Sequence, residues 1–168
     1  MSEPWLSGPL PGIDALVAPL FYSFEQARLE LREHSNGLSP EQLWSRPFGT
    51  TAAGFHIRHM GGAADRLSTY LRGEQLSTGQ MDALRNEAEP GASRFELLGE
   101  LDAHFGRCEA VVRTIKSENL RDAREVGRKQ LPTTVIGLIV HIAEHTQRHL
   151  GQAITTMKLL RAIQSEER

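Results

Sequence analysis

The sequence predicts an all-α fold, a four-helix bundle with one long crossover connection, and three observations carry that expectation. Four long segments repeat their apolar residues at helical spacing. Proline, glycine or serine and threonine signals bound those segments, and no stretch of useful length alternates in the manner of a half-buried strand. At 168 residues the chain suits one domain over 1–168, able to bury a core without disulfides or a structural metal.

The first long helix is expected over 13–34, where Ile13, Leu16, Val17, Leu20, Phe21, Phe24, Ala27 and Leu31 share a face until NGLSP stops the pattern. SPEQLWSRPFG reads as a short capped turn of helix: Ser39 is the N-cap, Pro40 fits the first helical position, Gln42 completes a box-like pattern and Pro47 ends it. The second long helix is expected over 51–71, with Phe55, Met60, Ala63, Leu67 and Tyr70 on its apolar face and Gly73 at its end. Within it, Gly61 and Gly62 weaken the helix and permit close approach of a neighbour. GEQLSTGQMDALRNEAEPG lacks strong periodicity and forms the crossover. Ser93 and Glu96 make a capping box that opens a third helix through Leu97, Leu101, Phe105, Cys108, Val112 and Ile115, ending near residue 119. After the polar loop RDAREVGRKQLP, Thr133 or Thr134 starts a fourth helix that runs to about residue 163. A short flexible segment at 1–12 and a tail at 165–168 complete the chain.

Composition excludes several classes of function. A formal charge of -2 and a pI of about 6.4, with arginines spread along the chain, give no basic field for nucleic acid or an anionic membrane. One cysteine, Cys108, rules out an internal disulfide framework and a cysteine-based zinc cluster and suits a reducing compartment. No stretch approaches the roughly 18 apolar residues of a spanning helix, and the N-terminus lacks a basic region followed by an apolar run. A cytoplasmic protein is expected.

The chemistry concentrates in HIAEHTQRHLGQ, 141–152. On a helix, His141, His145 and His149 share one face. His149 falls inside the apolar arc, His145 at its margin and His141 just outside. Buried neutral imidazoles must satisfy both ring nitrogens, so two such rings one turn apart are costly without a shared partner. A divalent ion resolves that cost. FHIRHM on the second helix offers a third nitrogen from His56 or His59, both near the apolar face. Glutamate does not follow the first histidine of the pair, where Ile142 and Thr146 stand, and no glutamate has histidine three residues later. These absences exclude the zincin and di-iron carboxylate patterns and leave a mononuclear site.

With GFHIRHMGGAADRL on the second helix and HIAEHTQRHLGQ on the last, the chain resembles the DinB/YfiT-like superfamily of metal-dependent four-helix bundles, over nearly its whole length. The last segment is similar to that family's closing His-x-x-x-His-x-Gly-Gln signature. The resemblance implies that His59, His145 and His149 are metal ligands, with Met60, Gly61 and Gly62 matching the residues after the family's second-helix ligand. It implies a pocket or supporting role for Gln152, with His56 and His141 as further pocket residues. Some relatives use low-molecular-weight thiols, among them mycothiol-dependent maleylpyruvate isomerases and bacillithiol-type S-transferases, and others are hydrolases.

The expected function is therefore a metal-dependent enzyme acting on a small-molecule substrate, a thiol-dependent S-transferase that activates a thiol at a three-histidine divalent-metal site. The alternatives are a metal-dependent hydrolase and a non-enzymatic metal- or ligand-binding module. Zinc, nickel and iron all suit imidazole, and a low-molecular-weight thiol is the expected cosubstrate, with Arg58, Arg128 and Lys129 as candidate cations to meet it. Because relatives pair and Phe21, Phe24, Ile136 and Val140 add apolar surface at a second helix phase, a homodimer is expected.

Overall fold

The computed structural model describes residues 3–166. Four long helices form the bundle, namely α1 (Ala18–His34), α3 (Ala53–Leu71), α5 (Arg94–Arg113) and α6 (Val135–Glu166); α2 (Pro40–Trp44) and α4 (Thr78–Arg85) lie in the connections. All three expected caps operate at their helix starts. Ser39 with Gln42 and Ser93 with Glu96 form complete capping boxes, and Thr134 Oγ1 accepts the Gly137 N–H at the start of α6.

Side-chain ladders set the helix directions. From α3 to α6 the partners run Thr51 with Thr156, His56 with His149 and His59 with His145, so these helices are antiparallel. From α3 to α5 they run Arg58 with Glu100 and Asp65 with Arg107, which makes that pair parallel. Helix α1 runs parallel to α6, with Ser23 on Ala143 and His34 on Arg161, and antiparallel to α5, where Arg28 meets Asp102 and Glu109. Two parallel neighbours, α3 and α5, need a connection that travels back along the bundle, and residues 72–93 supply it. Phe24 and Phe105 stack at the centre with ring centroids 3.8 Å apart, among Leu20, Leu31, Ile57, Met60, Leu101 and Ile142, all fully buried.

Several sequence expectations require correction. The crossover is not structureless: α4 stands within it, opened by a capping box of Ser77 and Gln80. The polar loop after α5 is a hairpin, β1 (Ala123–Val126) against antiparallel β2 (Leu131–Thr134), turned at Gly127, φ +72°. Its four-residue strands, one carrying Pro132 opposite Glu125, are too short and polar to show a period. Helix α1 begins at Ala18 rather than 13, α5 ends at Arg113 rather than near 119, and α6 continues through Glu166 into the expected tail, of which 167–168 lie outside the described residues. In the N-terminal segment expected to be flexible, Pro4–Ser7 form a 3₁₀ turn, Pro4 is buried, and Tyr22 Oη donates to the Gly8 carbonyl over 2.6 Å; residues 1–2 lie outside the described residues. Phe21 and Phe24, expected to offer a second apolar phase, are core residues, whereas Val140 is exposed. Among the described residues no helix is long and apolar enough to cross a membrane.

Glycines in the two central helices behave oppositely. A Cβ on Gly54 would come within 2.8 Å of the Trp44 indole, which is held by its Nε1 donating to the Ala92 carbonyl and by Arg58 over its face. Gly106 on α5 faces open space. Gly54→Ala should therefore destabilise the chain by about 1–3 kcal/mol through overpacking, and Gly106→Ala should stabilise it by about 0.5–1 kcal/mol. Urea denaturation of the two variants checks both signs.

Candidate metal centre

The antiparallel seam of α3 and α6 brings four imidazoles together. His59, His145 and His149 each offer a ring nitrogen, all within 4.8 Å of one another. His59 Nε2 stands 3.3 Å from His145 Nε2. That separation matches the edge of a tetrahedron with arms of about 2.0–2.1 Å, which is about 3.3–3.4 Å. His56 is buried and stands outside the cluster, its Nδ1 2.9 Å from His149 Nδ1. His141 is exposed, one turn before His145, with Nδ1 3.6 Å from Glu144.

Sequence reasoning missed Glu87. This buried carboxylate in the crossover accepts from His59 Nδ1 at 2.6 Å through Oε2 and from Arg66 at 2.5 Å through Oε1. A carboxylate only accepts, so the His59 proton lies on Nδ1 and the lone pair of the neutral ring lies on Nε2, facing the cluster. No periodicity marks a single acid in a connecting segment. Its one trace in the sequence is Gly62, placed inside a helix three residues after His59 and four before Arg66. Burial opposes ionisation of Glu87, but the hydrogen bonds from His59 and Arg66 outweigh it and hold the carboxyl below its ordinary value.

The donor set fits a divalent ion. Burial first, then the neighbouring His59, pushes His56, His145 and His149 from 6.5 down to about 4, so these rings are neutral and able to coordinate at neutral pH. The ring of Phe55, one turn before His59 on α3, stacks on it with centroids 5.2 Å apart.

An open cleft of about 540 Å³ adjoins the seam, lined by Thr50, Thr51, His56, Arg148, Gln152 and Thr156 among others. Gln152 is exposed there and makes no side-chain hydrogen bond to the histidines. Arg148 reaches this cleft while paired with Glu144. Arg58 is turned to the opposite side of α3, where it meets Glu100 and the Glu89 carbonyl, and Arg128 and Lys129 sit in the hairpin turn at the end of the bundle where α3 finishes. Cys108 is fully buried, and burial pushes its thiol up to about 12.

A family model described as the DinB superfamily matches residues 23–153, a span that holds all four imidazoles of the seam and Glu87. No curated protein matches the chain.

The lowered histidines also set a pH dependence. Their folded pKa values lie below the unfolded value of 6.5, so the unfolded chain binds more protons between these limits. Stability is then full above about 6.5 and is lost as pH falls toward 4. The melting temperature of the metal-free chain should be level above neutrality and fall through that window. A His56→Phe variant should flatten the decline, and differential scanning fluorimetry across the range checks both.

Proposed function

This chain belongs to the DinB superfamily, and from that premise and the three-imidazole cluster beside an open cleft we propose a metal-dependent enzyme, a thiol-dependent S-transferase acting on a small molecule. The observation that carries the reading is the donor set: His59, His145 and His149 converge, and among the described residues no carboxylate joins them. When bound, a divalent ion supplies Lewis acidity and lowers the pKa of a thiol. Neutral ligands leave the ion's charge uncompensated, which favours an anionic thiolate over a neutral nucleophile.

The chain's own residues do the rest. Glu87 fixes the His59 ring so that Nε2 faces the cluster. His56 spans the cluster and the cleft, since it touches His149 and also lines the cleft wall, a place from which its ring can hold or pass a proton. Thr51, Gln152 and Arg148 offer polar contacts for a substrate or for the acidic end of a thiol cosubstrate. The thiol must come from outside, because Cys108 is sealed in the core. Thr51, Gln152 and Arg148 would equally orient water as the nucleophile, which keeps a hydrolase as the second reading.

Purified protein should take up one zinc or nickel per chain, and His59→Ala, His145→Ala and His149→Ala should each lose it, while His141→Ala binds nearly normally. A panel of low-molecular-weight thiols with a generic electrophile should show turnover only with metal present. Turnover with esters and none with any thiol would favour the hydrolase, and no metal uptake would sink both. The same reading includes a homodimer paired through α6 at exposed Val140; light scattering that returns a monomer mass removes that part.

A further inference from the structure

The crossover does more than return the chain to the start of α5. We propose that Glu87 is a positioning residue of the metal centre, acting through His59, and that Gly62 is the opening that admits it; this rests on the three-histidine reading above.

Arginine–carboxylate pairs are frequently bidentate, with both oxygens on the guanidinium. Glu87 instead divides them, Oε1 to Arg66 and Oε2 to His59 Nδ1. Arg66 anchors the carboxylate, and the other oxygen dictates which His59 nitrogen carries the proton. The ring is clamped from the side by Phe55, nearly parallel at 13°. Rotation and tautomer are both fixed, so Nε2 faces His145 before any ion arrives.

The segment that carries Glu87 is itself held on both sides. Before it, Gln80 Nε2 donates to Asp65 Oδ2 and to Thr69 Oγ1, each over 2.8 Å; after it, Arg58 donates to the Glu89 carbonyl over 2.7 Å. All three ties end on α3, the helix that bears His59. Against that helix, a Cβ at position 62 would collide with Glu87 Oε1 and lie 2.9 Å from Arg66 Nη1. Glycine inside a helix costs about 1 kcal/mol relative to alanine, and here it makes room for the carboxylate.

The test uses full-length Glu87→Leu, Glu87→Gln and Gly62→Ala. Zinc affinity is measured by competition with a chromophoric chelator, and the His59 tautomer in metal-free protein by long-range proton–nitrogen NMR at alkaline pH. Wild type should show the proton on Nδ1. Glu87→Leu should lose that signature and bind zinc about 10–100-fold more weakly. Glu87→Gln, whose amide oxygen still accepts from Nδ1, should recover part of both. Gly62→Ala keeps every ligand and Glu87 itself, so a merely structural role for Glu87 would leave its zinc affinity unchanged; the proposal expects a loss together with an altered tautomer. If Glu87→Leu does not fold, the other two variants carry the test. A wild-type ring protonated on Nε2, or wild-type zinc affinity in both Glu87→Gln and Gly62→Ala, overturns the proposal. A wild-type chain that takes up no zinc overturns the metal reading instead, and the tautomer assay then decides the role of Glu87 on its own.

Discussion

Four imidazoles share one seam between two antiparallel helices, and placing their eight ring nitrogens with little water is the constraint on which the rest of the structure turns. Two of the nitrogens meet each other, His56 Nδ1 with His149 Nδ1, and one goes to Glu87. His59 Nε2 and His145 Nε2 face one another at 3.3 Å. With the His59 proton held on Nδ1, only a proton on His145 or a shared cation removes the repulsion of two lone pairs at that distance. A neutral His145 does so by carrying its proton on Nε2 and donating to His59, and a divalent ion does so by taking both lone pairs. For the ion, His59 Nε2 and His145 Nε2 already stand at the spacing of a tetrahedral edge.

Most of this was legible in the chain because it is periodic. The 3.6-residue repeat places His145 and His149 on one side of α6 and grades them against exposed His141, and the same repeat gives the four bundle helices. The capping boxes at Ser39 and Ser93 are local chemistry and were equally readable. What periodicity does not encode was lost. Glu87 acts on His59 across 28 residues from a segment with no apolar face, and the hairpin's strands are too short for an alternation to emerge.

The two adjacent glycines on α3 show how one helix serves three neighbours. Gly61 lets α5 approach until Leu101 Cα would lie 3.3 Å from an added Cβ, and Gly62 receives Glu87 from the crossover, while the histidines meet α6. Parallel packing of α3 and α5 forces the crossover to exist. Its path along α3 brings it to the back of His59, so the topology that makes the bundle also makes the support for the metal centre.

Whether the centre is reactive or closed is decided by what stands beyond the three nitrogens. A structural zinc site fills its sphere with four protein ligands. Among the described residues the cluster has three, because His56 is engaged with His149 from outside it and Glu87 lies behind His59, on the far side of that ring from Nε2. Beyond His149 on α6, Gly151, Gln152, Thr155 and Thr156 wall the cleft together with His56. Gly151 supplies no side chain in that wall, and the cleft meets the seam at His56, whose ring touches His149. The cleft thus adjoins the seam in which nitrogens of His59, His145 and His149 converge.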